Sequence, residues 1–337
     1  MKKASVIGLF LAFIASSCST DVDIYNDYKD TTIVYAVLDA ANDTNVIKIV
    51  RAYAGSNNGS FDAHQSAMVT DSSSYPGKLD VRFIEYEQSL SSNYSPTGRQ
   101  IILDTLTLHN KPEGQFYHPD QKVYYTKEPF RVNNRFNKYK YCLSINKPND
   151  TIRSEVSLLG GNNFEIVTKL VYFKAHNGST NKLFFHPDDN DALYQLTMRF
   201  NYTELRDGQD TIRKSVSWAI GPYSPCDLGY ENGNLYFTYF ESSLFSALEN
   251  AIRNDTLNVE RLFDSFELTI YAYGKELEDY RQVSTASSAI DYIYTNIQGG
   301  YGILSSSHRI KEEAQLSSLS QTDLLSMPWG FKHIGYK

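Results

Sequence analysis

The sequence predicts a mainly β protein: an N-terminal immunoglobulin-like β-sandwich followed by a second β-rich domain with a few short helices. Three observations carry that expectation. Tyrosine (26) and phenylalanine (18) are abundant, while methionine (4) and tryptophan (2) are scarce, and aromatic, β-branched sequence suits a pleated, half-buried surface. Apolar and polar residues alternate with a period of two over many short runs. Clusters of Asn, Asp, Gly, Pro and Ser punctuate those runs.

Strands are predicted at Thr32–Leu38, Asn45–Ala52, Lys78–Tyr86, Ile101–Leu106, Lys122–Tyr125 and Tyr139–Asn146. Turn chemistry separates them at Asn42-Asp43, Asn57-Asn58-Gly59, Tyr75-Pro76-Gly77 and Ser95-Pro96-Thr97-Gly98. No helical period intervenes, and many short strands with such turns read as a sandwich. A boundary near Gly160-Gly161-Asn162-Asn163 divides a first domain, 32–163, from a second, 164–305. The second opens with a strand near Thr168–Phe173. Its clearest strand is Leu193–Tyr202, where Tyr194, Leu196, Met198, Phe200 and Tyr202 share one face. Lys214–Ile220 is expected to pair with it across Asp207-Gly208-Gln209-Asp210. Phe266–Tyr273 is another strand, with Phe266, Leu268, Ile270 and Ala272 on one face and Tyr271 and Tyr273 on the other.

Two helices interrupt the pattern. In Ser243–Ile252 the stripe Leu244, Ala247, Leu248, Ala251 and Ile252 follows helical spacing, with Ser242 or Ser243 as N-cap. Lys275–Val283 is a shorter candidate. Residues 306–337 read as a polar C-terminal tail. Asp150-Thr151-Ile152-Arg153 recurs as Asp210-Thr211-Ile212-Arg213. Two hairpins with one turn solution explain the repeat: Asp caps the turn and Thr-Ile begins the return strand.

The N-terminus gives an address. Lys2 and Lys3 precede the apolar run Val6–Ala15, which is too short to span a membrane and reads as an export signal over residues 1–17. Ala15-Ser16-Ser17-Cys18 looks like a bacterial lipobox, although Ala15 and Ser17 depart from the preferred residues. The expectation is an acylated (palmitate-bearing) Cys18 and a polar tether over residues 18–31. Several acyl chains, at about 0.8 kcal/mol per buried CH₂, anchor a protein without a spanning helix.

Net charge is −7, with acidic and basic residues interspersed. No polybasic block offers the footprint of nucleic-acid binding. After Cys18 only Cys142 and Cys226 remain; in an oxidising compartment they can form one disulfide or stand as separate thiols. Cys142 alternates out of phase with Tyr139, Tyr141, Leu143 and Ile145, placing it on the opposite strand face. No G-x-S-x-G elbow or H-E-x-x-H motif occurs, and the serine runs Ser72–Ser74 and Ser305–Ser307 read as loops. His118-Pro119-Asp120 and His186-Pro187-Asp188 read as turns. Asp188, Asp189, Asn190 and Asp191 form the densest oxygen cluster but lack calcium-loop spacing. No catalytic residue, metal or cofactor is expected.

Thr32–Gly55 (TIVYAVLDAANDTNVIKIVRAYAG), Tyr139–Ile166 and Tyr294–Leu304 (YTNIQGGYGIL) together resemble an uncharacterised family of Bacteroidota lipoproteins, often encoded beside TonB-dependent outer-membrane receptors. The resemblance implies a lipid-anchored outer-membrane protein with a β-sandwich start, and a partner receptor. Asp-Thr steps at Thr31, Thr105, Thr151, Thr211 and Thr256 are similar to the O-glycosylation motif of exported Bacteroidota proteins. The expected function is a non-enzymatic ligand-binding or accessory partner of a TonB-dependent transporter, its ligand a small molecule, glycan or peptide. A pilus-like structural subunit and an envelope hydrolase are the alternatives.

Overall fold

The alternation in the first predicted strand becomes β1 (Thr31–Leu38), which buries Val34, Ala36 and Leu38 and turns Tyr35 and Val37 outward. It belongs to a computed structural model that describes residues 31–52, 74–89, 93–109, 120–148, 150–161, 163–188, 192–206, 210–252, 259–285 and 294–332. β1 continues through an Asx turn into β2 (Asn45–Ala52): Asp39 Oδ1 accepts the Ala41 N–H at 2.9 Å, and Asn45 Oδ1 accepts the Asp39 N–H at 2.8 Å. The next strands are β3 (Asp80–Ser89), β4 (Ser95–Ile102), β5 (Asp104–Leu108), β6 (Gln121–Thr126), β7 (Asn137–Lys147) and β8 (Asp150–Val156).

They pair in the orders β1-β2-β6-β5 and β4-β3-β7-β8. This is the immunoglobulin arrangement of an ABED sheet over a CFG sheet, with β4 in the place of a C′ strand. Ile47, Ile49 and Tyr124 from one sheet meet Val81, Phe83, Leu143 and Ile145 from the other in a single core. Tyr141, on the sixth-strand position of that fold's second sheet, sends its hydroxyl back to residue 131 upstream, where it accepts the Arg131 N–H at 2.6 Å. That is the contact of a tyrosine corner.

Two expectations are corrected here. Ser95-Pro96-Thr97-Gly98 is not a turn but the start of β4. β4 is an edge strand, where proline is tolerated, and its register with β3 slips between Ile84 and Tyr86, beside Gly98 at φ 83°. Ile101–Leu106 is not one strand: the chain changes sheet at the buried Leu103, ending β4 and starting β5.

The second sandwich follows from β9 (Glu165–Ile166), β10 (Leu170–Val171), β11 (Thr180–His186), β12 (Leu193–Arg206), β13 (Asp210–Tyr223), β14 (Gly229–Glu231) and β15 (Asn234–Phe240). It is completed by α1 (Ser243–Ala251), β16 (Val259–Tyr273), α2 (Lys275–Thr285), β17 (Gly300–Leu316), α3 (Ser318–Ser326) and β18 (Phe331–Lys332). The inward faces of β12 and β16 are the ones the alternation marked, and Tyr194, Leu196, Phe200, Phe266 and Ile270 are fully buried. They pack on the four-stranded sheet β14-β15-β11-β9 through Phe185 and Phe237, whose rings stack at 5.3 Å. α1 covers this core with Leu244, Phe245 and Leu248. Both Asp-Thr-Ile-Arg segments begin the return strand of an antiparallel hairpin, β7–β8 and β12–β13.

One strand serves both sandwiches. The first half of β17 pairs in parallel with β1, Thr32 opposite Gly300 through Leu38 opposite Ser306. Its second half pairs antiparallel with β16, from Ser307 to Ala314. A ten-stranded sheet results, with the path β13-β12-β16-β17-β1-β2-β6-β5. Ser305–Ser307, read as loop, is therefore strand, with Ser305 and Ser306 fully buried. Residues 306–337, set apart as a tail, supply the second half of β17, α3 and β18, whose Leu324 and Phe331 join the second core. Gly302 is required where β17 meets β1: its φ is 105°, and a Cβ there would overlap the Val34 carbonyl.

Candidate functional site

The segment after β8 crosses from one core to the other, Leu158 belonging to the first and Leu159 to the second. At this crossing the structure gathers three residues distant in sequence. Asp39 follows β1, Asp188 follows β11, and His308 lies in β17. The His308 Nδ1 stands 3.4 Å from Asp39 Oδ1, and its ring lies 5.8 Å from Phe164. Asp188 accepts the backbone N–H groups of Gly160 at 2.6 Å and Gly161 at 3.0 Å. Ser306 Oγ accepts the Leu159 N–H and donates to Ser157 O at 3.2 Å.

The electrostatics follow from this placement. The hydrogen bond with Asp39 raises the His308 pKa, burial opposes it, and the charges of Asp188 and Asp39 add to the rise. Burial would lift the Asp39 carboxyl, but His308, the Ala41 N–H and the charge of Arg309 together hold it below its ordinary value. The arrangement favours the charged forms of both groups and so fastens β17 to the first hairpin. Beside it lies a cleft of about 620 Å³ bordered by Asn133, Asn134, Arg135, Asn163 and Asp188. Its walls are built by their own polar atoms. Asn133 Oδ1 accepts the Tyr139 N–H at 2.7 Å, and Asn134 Oδ1 accepts those of Phe136 and Asn137, both at 2.9 Å.

Of the residues singled out in the sequence, Asp188 and Ser306 enter this junction, with the backbone of Gly160 and Gly161. Cys18, Thr256, His118 and Asp189–Asp191 lie outside the described residues. Cys142 and Cys226 are both free, the first half-buried and the second exposed, which corrects the disulfide option. Cys142 does lie on the face opposite the buried Tyr141 and Leu143, as its phase required. Thr31, Thr105, Thr151 and Thr211 fall on β1, β5, β8 and β13, and the structure does not gather them. His109 pairs with Asp120 at 2.6 Å and His186 with Glu165 at 3.5 Å. Among the described residues no group of three or more His, Cys, Asp or Glu side chains is placed to hold a metal ion.

Asp39 and His308 carried no sequence signal as a pair. Each stands alone in its local run, and only the β1–β17 pairing joins them. No protein-family model matches the chain, and no curated protein matches it. No helix among the described residues is long and apolar enough to cross a membrane.

Proposed function

We propose that the protein is an outer-membrane-anchored lipoprotein acting as a non-enzymatic ligand-binding or accessory partner of a TonB-dependent transporter. The observation that carries this reading is Cys18, set directly after a short apolar run and before a polar stretch. At the junction both oxygens of Asp188 and the hydroxyl of Ser306 are engaged in backbone hydrogen bonds, a structural role and not one of general acid, base or nucleophile. The outer face of β1 and β2 offers docking area, since Tyr35, Val37 and Val46 stand exposed there.

Cys18→Ala is expected to abolish palmitate labelling and release the protein from membranes with its fold intact. Pull-down in mild detergent is expected to recover a β-barrel receptor with the wild type. A mutant that stays membrane-bound without label refutes the lipid anchor, and recovery of the lipoprotein alone refutes receptor docking. The pilus-like alternative has one observation in its favour: β13 is a fourteen-residue edge strand, bonded among the described strands to β12 alone. It requires polymers that survive mild denaturation.

A further inference from the structure

A second cavity, of about 470 Å³, lies at the far end of the second sandwich. α1 forms one wall, the loop around His176 another, and the turn Met327–Gly330 the third. Its volume falls within the range of small-molecule sites. Phe245 and Trp329 make an aromatic floor, with ring centroids 6.2 Å apart and planes inclined by 32°. A flat ring needs about 7 Å between two faces to enter at van der Waals distance on both sides, so a ligand lies on this floor and not between its rings.

The floor is held from beneath. Arg261, 1 % exposed, donates to Glu204 Oε1 at 2.9 Å and to the Trp329 carbonyl at 2.6 Å. Gly330, at φ 73°, brings the turn close enough for its carbonyl to accept the Arg261 N–H at 2.9 Å; a Cβ there would stand 2.5 Å from Val259 O. The opposite loop is tied as firmly. Asn177 donates to Glu241 at 2.7 Å, and the Ala175 N–H reaches Asp323 at 3.2 Å.

Above that floor the side chains of His176, Ser242, Ser246 and Glu249 border the cavity, and none of them makes a hydrogen bond or ion pair within the described residues. They contrast with the junction cleft, whose asparagines and aspartate are engaged in building its walls. Two hydroxyls, an imidazole and a carboxylate offer both donors and acceptors. Among the described residues no lysine or arginine borders the cavity, so none of them supplies a cation to select an anionic ligand. An apolar face below and mixed hydrogen-bonding groups at the rim match a ring with C–H bonds on its face and hydroxyls at its edge.

We propose that this cavity binds a neutral sugar ring, stacked on Trp329 with its hydroxyls directed to Glu249, Ser246 and Ser242. The site stands whatever the protein's membrane address. Trp218, the other tryptophan, packs against Phe173 and Phe266. A Trp218→Phe background therefore leaves Trp329 as the reporter. The mature chain in that background is titrated with glucose, galactose, mannose, N-acetylglucosamine and maltose, and separately with tetramethylammonium.

At least one sugar is expected to give a saturable change in Trp329 emission. Glu249→Gln and Ser246→Ala, both at exposed helix positions, are expected to keep the melting temperature; loss of a charge-assisted bond in Glu249→Gln weakens binding about tenfold. No saturation by any sugar at tens of millimolar overturns the proposal. So does saturation that Glu249→Gln and Ser246→Ala leave unchanged, or saturation by tetramethylammonium alone.

Discussion

Among the described residues each sandwich buries one glutamate, and the two neutralise it differently. In the first, Glu85 is fully buried, while its partners come in from the surface: Arg99 at 2.9 Å and Arg131 at 3.3 Å, the latter 54 % exposed. Tyr141 donates to it at 2.9 Å and Thr97 at 3.0 Å. In the second, Glu204 and Arg261 are both buried, and Lys214, at 2.8 Å, comes from outside. Burial raises both glutamates, yet their hydrogen bonds and neighbouring charges hold both below the ordinary carboxylate range. The difference lies in dependence. Glu85 shares its charge among several replaceable donors. Glu204 takes a buried guanidinium that also holds the Trp329 turn.

The largest expected effect strikes what the sandwiches share. Gly302→Val places a side chain against the Val34 carbonyl at a backbone angle unsuited to it, and should cost more than about 4 kcal/mol. Both cores should be lost in one transition, because β17 belongs to each. Hydrogen exchange that shows one sandwich protected while the other opens would break the comparison in favour of independent units.

The next effect separates the two acids. Arg261→Ala takes the buried guanidinium away from the buried Glu204 and should destabilise by ~3–5 kcal/mol. Arg99→Ala leaves Glu85 with Arg131, Tyr141 and Thr97 and should cost only about 1–2 kcal/mol. Denaturant midpoints of the two variants decide the matter; equal losses would show that distributed donors give no protection.

The smallest effect concerns the junction and depends on pH. His308 has a raised folded-state pKa, so its stabilisation is complete below the unfolded imidazole value of about 6.5 and is lost as pH rises through the folded value. Asp39 has a lowered one, so its contribution is present above about pH 4 and is lost as pH falls through the folded value. The charged pair therefore works between those limits. His308→Gln should lose ~1 kcal/mol near pH 5.5 and converge on the wild type at alkaline pH. Melting curves that run parallel from pH 5 to 9 would remove the imidazolium from the account.

Legibility from the sequence tracked how local each feature is. The Tyr194–Tyr202 alternation, the two Asp-Thr-Ile-Arg hairpins and α1 are decided by near neighbours, and they appear where the sequence placed them. In α1 the stripe omitted Phe245, which is buried next to Trp329. β17 was obscured because Ser305 and Ser306 are buried on a strand whose covering partners come from both sandwiches, so no alternation survives there. β11 and β15 carry aromatic residues on both faces, Phe184 and Tyr236 pairing outside the core that holds Phe185 and Phe237, which erased their period. The junction pair and the Arg261–Trp329 contact join segments far apart in the chain. No local pattern records such contacts.

The shared strand also sets the order in which the molecule is finished. β1 is the first described strand to leave the ribosome, and β17 is among the last. Throughout synthesis the first hairpin waits with one edge of hydrogen-bonding groups unmet, and contacts between chain ends close slowly. An edge left open for so long invites pairing with other chains. The parallel joining of Thr32–Leu38 to Gly300–Ser306 is thus a latch that closes only once residues 300–306 are made, so a copy cut short before them keeps a sticky edge that β17 otherwise conceals.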